Sequence, residues 1–276
     1  MRLVIGGGGS KGLVFVGAYG AYKERGALDG VTEIYGVSIG SVVGLSIVLG
    51  LTPTDILQCY EENFPCVSSH LSIKNFIEKF GFDAGCDLRK MIAAILRKGG
   101  YDENTLMTDM KSENIQLRVC VTNLSTYTAD ILDTDSCDVK VIDALMASCA
   151  IPLFYAPVFI KGKCYVDGSA LWNSFPFHLA REDHDDIGWG LINKINDDEI
   201  KGVGSYLKKL VTMFTMYFAR YSSNAPINKN VVMFEDVDLD LLVFNECPDV
   251  KIQEMLDLGR TTANDHLSKT ANTSST

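Results

Sequence analysis

Ser38 stands in Gly36-Val-Ser-Ile-Gly40, a setting that suits a nucleophile. Residues 32–35 read as a short strand, and residues 41–51 read as a buried helix. A serine on a sharp turn between a strand and a helix is the geometry of acyl transfer. Gly36 and Gly40 lie two residues to either side, where the two backbones approach and a Cβ would clash. The hydroxyl then faces the helix N-terminus, whose dipole and free N–H groups favour developing negative charge. The same five residues also fit a glycine-rich helix start capped by serine, so the motif needs partners.

Gly6-Gly-Gly-Gly-Ser-Lys-Gly12 places five glycines in seven residues between a predicted strand and a predicted helix. Such a loop can aim successive backbone N–H groups at one anion. It is not a P-loop, because Gly12 rather than Ser or Thr follows the lysine. It fits a dinucleotide fingerprint through Gly7, Gly9 and Gly12, but that fingerprint wants an acid at the end of the second strand. Glu33 lies at the beginning of that strand. The third reading is an oxyanion hole, needed because the tetrahedral intermediate of acyl transfer is an anion.

Asp167-Gly-Ser169 follows a predicted strand. Its aspartate suits a fixed base, and it equally suits an ordinary Asp-Gly turn. Histidine is the usual partner of such a serine. Ser38, Asp167 and either His178 or His266 follow the chain order of an α/β-hydrolase triad. That fold, however, sets several strands before the elbow, and here one β–α unit precedes it. Ala147-Ser-Cys-Ala-Ile-Pro-Leu-Phe-Tyr-Ala-Pro157 offers no obvious catalytic group. It reads as a helix that ends before Pro152, then an apolar loop fixed by two prolines.

The elements that must hold these groups alternate. Strands are expected at 3–5, 32–35, 117–122, 127–132, 187–192, 231–234 and 241–244, with a hairpin over 158–166. Helices are expected from 13 to about 27, 41–51, 52–64, 73–80, 88–98, 143–150, 200–222 and 250–267. This pattern implies one α/β domain over 1–267, with a largely parallel sheet flanked by helices and a frayed tail at 268–276.

The 276 residues carry a net charge of −10, which argues against nucleic acid as a partner. None of the eight cysteines forms a C-x-x-C pair, so neither a zinc site nor a redox motif is expected. No signal peptide or membrane-spanning run is evident, and a cytoplasmic protein with reduced thiols is expected. Leu207, Leu210, Val211, Phe214, Phe218 and Tyr221 form one helical stripe edged by Lys208, Lys209 and Arg220. That stripe suits either a core helix or transient contact with a membrane surface.

Four of these segments together resemble the patatin-like phospholipase family. Gly7-Gly-Gly-Ser-Lys-Gly12 is similar to its G-G-G-x-[RK]-G loop, and Gly36-Val-Ser-Ile-Gly-Ser41 to its G-x-S-x-G-[ST] elbow. Residues 147–157 resemble its A-S-x-A-x-P-x-x-F-x-P block. Asp167-Gly-Ser169 and the following Asn173 and Pro176 resemble its D-G-[GA]…N-x-P block. The blocks fall in family order over 3–176, and the likeness fades beyond Pro176.

The resemblance implies a three-layer α/β sandwich and a lipid acyl hydrolase working without metal or cofactor. It implies Ser38 as nucleophile, Asp167 as base without histidine, and an oxyanion hole in the loop of Gly7, Gly8, Gly9, Ser10, Lys11 and Gly12. Gly36, Gly40 and Gly168 are implied as supporting positions. A phospholipid or another glycerolipid ester is the implied substrate. The other readings are a phosphate- or dinucleotide-binding module on the glycine loop, or an inactive relative. Ile39 and Val37 are bulkier than the residues usual beside such a serine.

Overall fold

A computed structural model of the chain describes residues 1–63, 72–112, 114–172, 175–181, 184–192, 199–202, 205–206, 209–210, 213, 228–235 and 249–273. Its centre is a mixed sheet. The strands are β1 (Arg2–Ile5), β2 (Glu33–Val37), β3 (Gly81–Asp83), β4 (Gln116–Asn123) and β5 (Thr128–Asp133). They continue with β6 (Leu153–Tyr155), β7 (Val158–Ile160), β8 (Lys163–Asp167), β9 (Ile187–Leu191) and β10 (Val231–Phe234). Among the described residues, eight strands join in the order β10-β9-β1-β2-β4-β8-β7, with β5 also on β4. The first five in that order are parallel, and β5, β7 and β8 are antiparallel to their neighbours. β3 and β6 form a separate parallel pair that the sequence does not announce.

Helices α1 (Leu13–Glu24), α2 (Ile39–Val48), α3 (Pro53–Asn63), α4 (Ile73–Lys79) and α5 (Cys86–Lys98) lie between the strands. α6 (Val141–Ser148), α7 (Ser169–Trp172) and α8 (Asp249–Thr273) follow along the chain. Parallel strands buried on both faces read as continuous apolar runs, and Leu3, Val4 and Ile5 of β1 are all fully buried. Leu3 and Ile5 join the main core with α1, α2, α5 and α6. Val4, Tyr35, Val37 and Cys120 face the other way, under Phe175 and Ala180.

α1 is buried from Leu13 through Tyr22, because the sheet lies on one side and α8 on the other. A Cβ on Gly17 would strike the Leu256 carbonyl of α8, so the two helices meet at their backbones. α8 runs to Thr273, beyond the end expected at 267. There the Ser268 and Thr270 hydroxyls donate back to the carbonyls of Asn264 and His266, at 2.8 and 3.2 Å. Most of the helix expected over 200–222, with its proposed membrane stripe, lies outside the described residues. So does the strand expected at 241–244.

β4 changes neighbour part-way along. On one side it pairs with β2 from Gln116 to Cys120, the last match being Val37 to Cys120. From Val121 to Asn123 it pairs instead with β8, and Val121 faces Asp167. β2 and β8 therefore abut end to end along one side of β4. The residue after Val37 is Ser38, and the last residue of β8 is Asp167.

Candidate active site

Ser38 caps α2 in a conformation that side chains rarely adopt, with φ 53° and ψ −130°. Strain of this kind costs on the order of 1–3 kcal/mol and persists only where surrounding bonds over-determine it. They do so here. The Ser38 amide donates to the Ser148 hydroxyl at 2.9 Å, and that hydroxyl donates to the Cys120 carbonyl at 2.8 Å. The Ser38 carbonyl accepts from the Ser41 amide at 2.9 Å and the Ser41 hydroxyl at 2.6 Å. A Cβ on Gly36 would strike the Ser41 backbone, and one on Gly40 would strike the Ile5 and Gly6 carbonyls. The elbow closes because both positions lack one.

Asp167 is fully buried. Its Oδ1 accepts from the Ser169 amide at 2.8 Å and the Ser169 hydroxyl at 2.6 Å. Its Oδ2 is buried without a hydrogen-bond partner. Burial raises its pKa to about 6, against the lowering effect of the Ser169 and Ser38 hydroxyls and the Ser169 amide. The Ser38 hydroxyl thus stands close enough to stabilise the carboxylate, short of an aligned bond to Oδ2. The two readings of Asp167-Gly-Ser169 divide between its oxygens. Oδ1 makes the turn, and Oδ2 is left over beside Ser38.

The glycine loop passes the same point. A Cβ on Gly7 would come within 3.3 Å of the Ser38 Cβ. Gly9 has a left-handed φ of 54° and opens a single 3₁₀ turn, Gly9–Gly12. Among the described residues the amides of Gly8 and Gly9 take no backbone acceptor. Gly9 and Ser10 share a cleft wall with Ser38, whereas Lys11 is buried and does not line that cleft. Gly12 packs under the Ile39 side chain, and Gly168 approaches the Cys120 carbonyl too closely for any Cβ.

The cleft beside Ser38 is narrow, with a cavity volume of about 30 Å³. Ile39, Tyr60, Leu88, Met91, Ile151 and Tyr155 form most of its wall, and among the described residues no charged side chain lines it. A second apolar cavity, also of about 30 Å³, continues from Ile39, Tyr60 and Met91 toward Val16, Val43 and Ile95. No group of three or more His, Cys, Asp or Glu among the described residues is placed to hold a metal ion.

Residues 147–157 contribute more than a turn. Ser148 ties the elbow to β4, and its carbonyl also accepts from the Gly168 amide at 3.3 Å. The Ala150 carbonyl accepts from the Asp167 amide at 2.9 Å. The neighbouring Cys149 thiol is buried against the same groups. Burial and then Asp167 push its pKa well above the usual thiol value, so it stays a neutral wall. The one signal for Ser148 was a hydroxyl in an otherwise apolar run. Among the histidines, His178 stacks on Trp172 with ring centroids 5.8 Å apart, and His266 sits on α8. Neither bonds to Ser38 or Asp167 among the described residues. His70, Asn173, Cys66 and Cys247 lie outside those residues, and the six described cysteines are unpaired.

The family model of the patatin-like phospholipases matches residues 3–181. The chain belongs to this family. The match spans the glycine loop, the elbow, the Ser148 block and Asp167 of this patatin-like chain. It is 23% identical over 245 residues to the probable lipid hydrolase 463L of Invertebrate iridescent virus 6, covering 85% of this chain and 78% of that one. It is 28% identical over 197 residues to the uncharacterized protein YqhO of Bacillus subtilis (strain 168), covering 64% and 65%. In fold it is similar to VipD from Legionella pneumophila, with a TM-score of 0.57 at 15% identity. That likeness covers 97% of this chain and 66% of VipD. A likeness to ExoU in the ExoU–SpcU complex of Pseudomonas aeruginosa has a TM-score of 0.50 at 14% identity, covering 98% and 51%. Family membership and the viral relative support lipid hydrolase activity for this patatin-like chain. No helix among the described residues is long and apolar enough to cross a membrane.

Proposed function

We propose that this chain is a lipid acyl hydrolase of the phospholipase A type, acting through a covalent acyl-enzyme on Ser38 with Asp167 as its base. One observation carries the reading: a fully buried carboxyl group with an unpartnered oxygen stands beside a strained serine at the junction of β2 and β8. A buried polar atom without a partner is costly, and such orphans concentrate at working sites.

The Ser38 Oγ attacks the ester carbonyl carbon while Oδ2 of Asp167 takes its proton. The carbonyl oxygen becomes an oxyanion under the Gly8 and Gly9 amides. The intermediate collapses, the C–O bond to the glycerol side breaks, and Asp167 returns its proton to the departing alkoxide. Water then gives a proton to Asp167 and its hydroxide to the acyl carbon. Collapse of this second intermediate releases the fatty acid, and Ser38 regains its proton. A pKa near 6 keeps Asp167 ionised at neutral pH yet makes it a stronger base than an exposed aspartate. Losing one oxyanion donor costs about 2.7–4 kcal/mol of barrier.

The apolar cleft and the cavity behind it suit an acyl chain. They do not suit a dinucleotide, whose phosphates and ribose need polar partners. The reaction needs no metal, so turnover is expected to persist in chelator.

A fluorophosphonate probe and an acyl ester assay test the proposal. Wild type should label at Ser38 and turn over the ester. Ser38→Ala should do neither. Asp167→Asn should lose turnover on the order of 10⁴-fold. An unlabelled wild-type protein would point to a binding module or an inactive relative.

A further inference from the structure

α4 presents an apolar stripe that stays exposed among the described residues. Ile73, Ile77 and Phe80 recur at helical spacing on one side and are 72%, 70% and 62% exposed. Phe76 anchors the helix by stacking on Phe82 with ring centroids 4.5 Å apart. The Ser72 amide fastens the helix start to the Phe82 carbonyl at 2.8 Å. The helix is thus held with its remaining apolar residues turned outward.

Two residues of this patch are also strained. Phe80 has φ 65° and Leu153 has φ 69°, a region that bulky side chains avoid. Leu153 is 39% exposed and pairs in register with Gly81, the residue after Phe80. Phe80 is the left-handed C-cap of α4, its amide donating to the Phe76 carbonyl at 3.1 Å, and it precedes the Gly81 that pairs with Leu153. The patch runs on into the proposed acyl cleft, because Tyr155, two residues after Leu153 on β6, lines that cleft. Lys74 is exposed on one flank of the stripe, and Glu78 and Lys79 are exposed toward the opposite side of the helix.

We infer that α4 and Leu153 form the platform that seats the protein on a lipid bilayer, an inference that rests on the lipid hydrolase reading above. Ile73, Ile77, Phe80 and Leu153 enter the acyl boundary, and Lys74 on the flank meets headgroup phosphates. A convex helix offers no groove for a peptide, and its continuity with the cleft lets a lipid pass from bilayer to Ser38 without crossing water.

The full chain carrying Ser38→Ala is sedimented with vesicles of phosphatidylcholine and phosphatidylglycerol, so that the bilayer stays intact. Adding Ile77→Asp or Phe80→Gly should lower the vesicle partition at least about tenfold. Glycine suits the left-handed position, so Phe80→Gly should not lower the thermal midpoint and misfolding cannot explain a loss. With Ser38 restored, both variants should keep turnover of a short water-soluble ester and lose about tenfold or more on vesicle phospholipid. Sedimentation equal to the parent's overturns the platform, as does a parent that does not sediment. A concentration-dependent dimer abolished by the same variants, without vesicle binding, assigns the patch to a second copy instead. If no ester is turned over but sedimentation still depends on Phe80, docking stands and the esterase reading fails.

Discussion

Replacing Asp167 by Asn tests the buried carboxyl through stability as well as through rate. Asn is nearly isosteric, and its carbonyl can still accept from the Ser169 amide and hydroxyl. It carries no titrating proton. In wild type, burial moves the pKa from 3.8 to about 6, a shift of about two units. At about 1.36 kcal/mol per unit, ionising Asp167 costs the fold about 3 kcal/mol. The sign follows from linkage: the folded state holds this proton more tightly than the unfolded chain does. The stabilising contribution is complete below pH 3.8 and is lost as pH rises through about 6. The stability of Asp167→Asn relative to wild type should therefore improve by about 2.4 kcal/mol between pH 4 and pH 8. For a chain of this size that is a relative rise in thermal midpoint of roughly 5 °C or more.

Scanning calorimetry of both proteins across that range reads the difference. Asp186 also titrates, in the opposite sense. Burial pushes its pKa up, but hydrogen bonds from Arg181 and the Arg2 amide outweigh this and hold it low. It is common to both proteins and cancels. A midpoint difference that does not change with pH would refute the raised pKa, and with it the match between Asp167 and its proposed role as base.

Three further outcomes are expected. The kcat/KM of wild type on a soluble ester should lose its activity on the acid side of about pH 6, as Asp167 gains a proton; a profile flat down to pH 4 would contradict this. Ser148→Ala strips the Ser38 amide and the Cys120 carbonyl of a buried partner. It should cost about 1–3 kcal/mol in denaturant unfolding and lower kcat more than it raises KM. Phe80→Gly relieves a left-handed aromatic and should stabilise the fold by up to about 1 kcal/mol in the same assay, whatever its effect on lipid binding.

Much of the site was legible from local chemistry. Gly36 and Gly40 mark a turn too tight for a Cβ, and the steric reason holds wherever the turn sits. The glycine loop declares its capacity for an anion, because consecutive small residues bare their amides. Strand and helix order followed from periodicity, and the hairpin formed by β7 and β8 from its Lys-Gly turn. The short strands β3 and β6 were not legible, since three residues carry no alternation to read. Ser148 was invisible for a related reason. One hydroxyl in an apolar run looks like a tolerated core serine until its partners, Ser38 and Cys120, are brought from 110 and 28 residues away.

Residue types and spacing by themselves determined the α/β class, the elbow serine, the glycine loop and an aspartate at the end of a strand. These features depend on neighbours within a few positions, where sterics and periodicity act. Only the tertiary structure decided that β2 and β8 end against each other along β4, bringing Ser38 to Asp167. Ser38 and Asp167 lie 129 residues apart and meet through two separate pairings on β4, which the packing of the whole sheet sets and no local pattern encodes. The raised pKa of Asp167 belongs to the same level, because its largest cause is burial, and distant parts of the chain must close over the carboxyl group to exclude water.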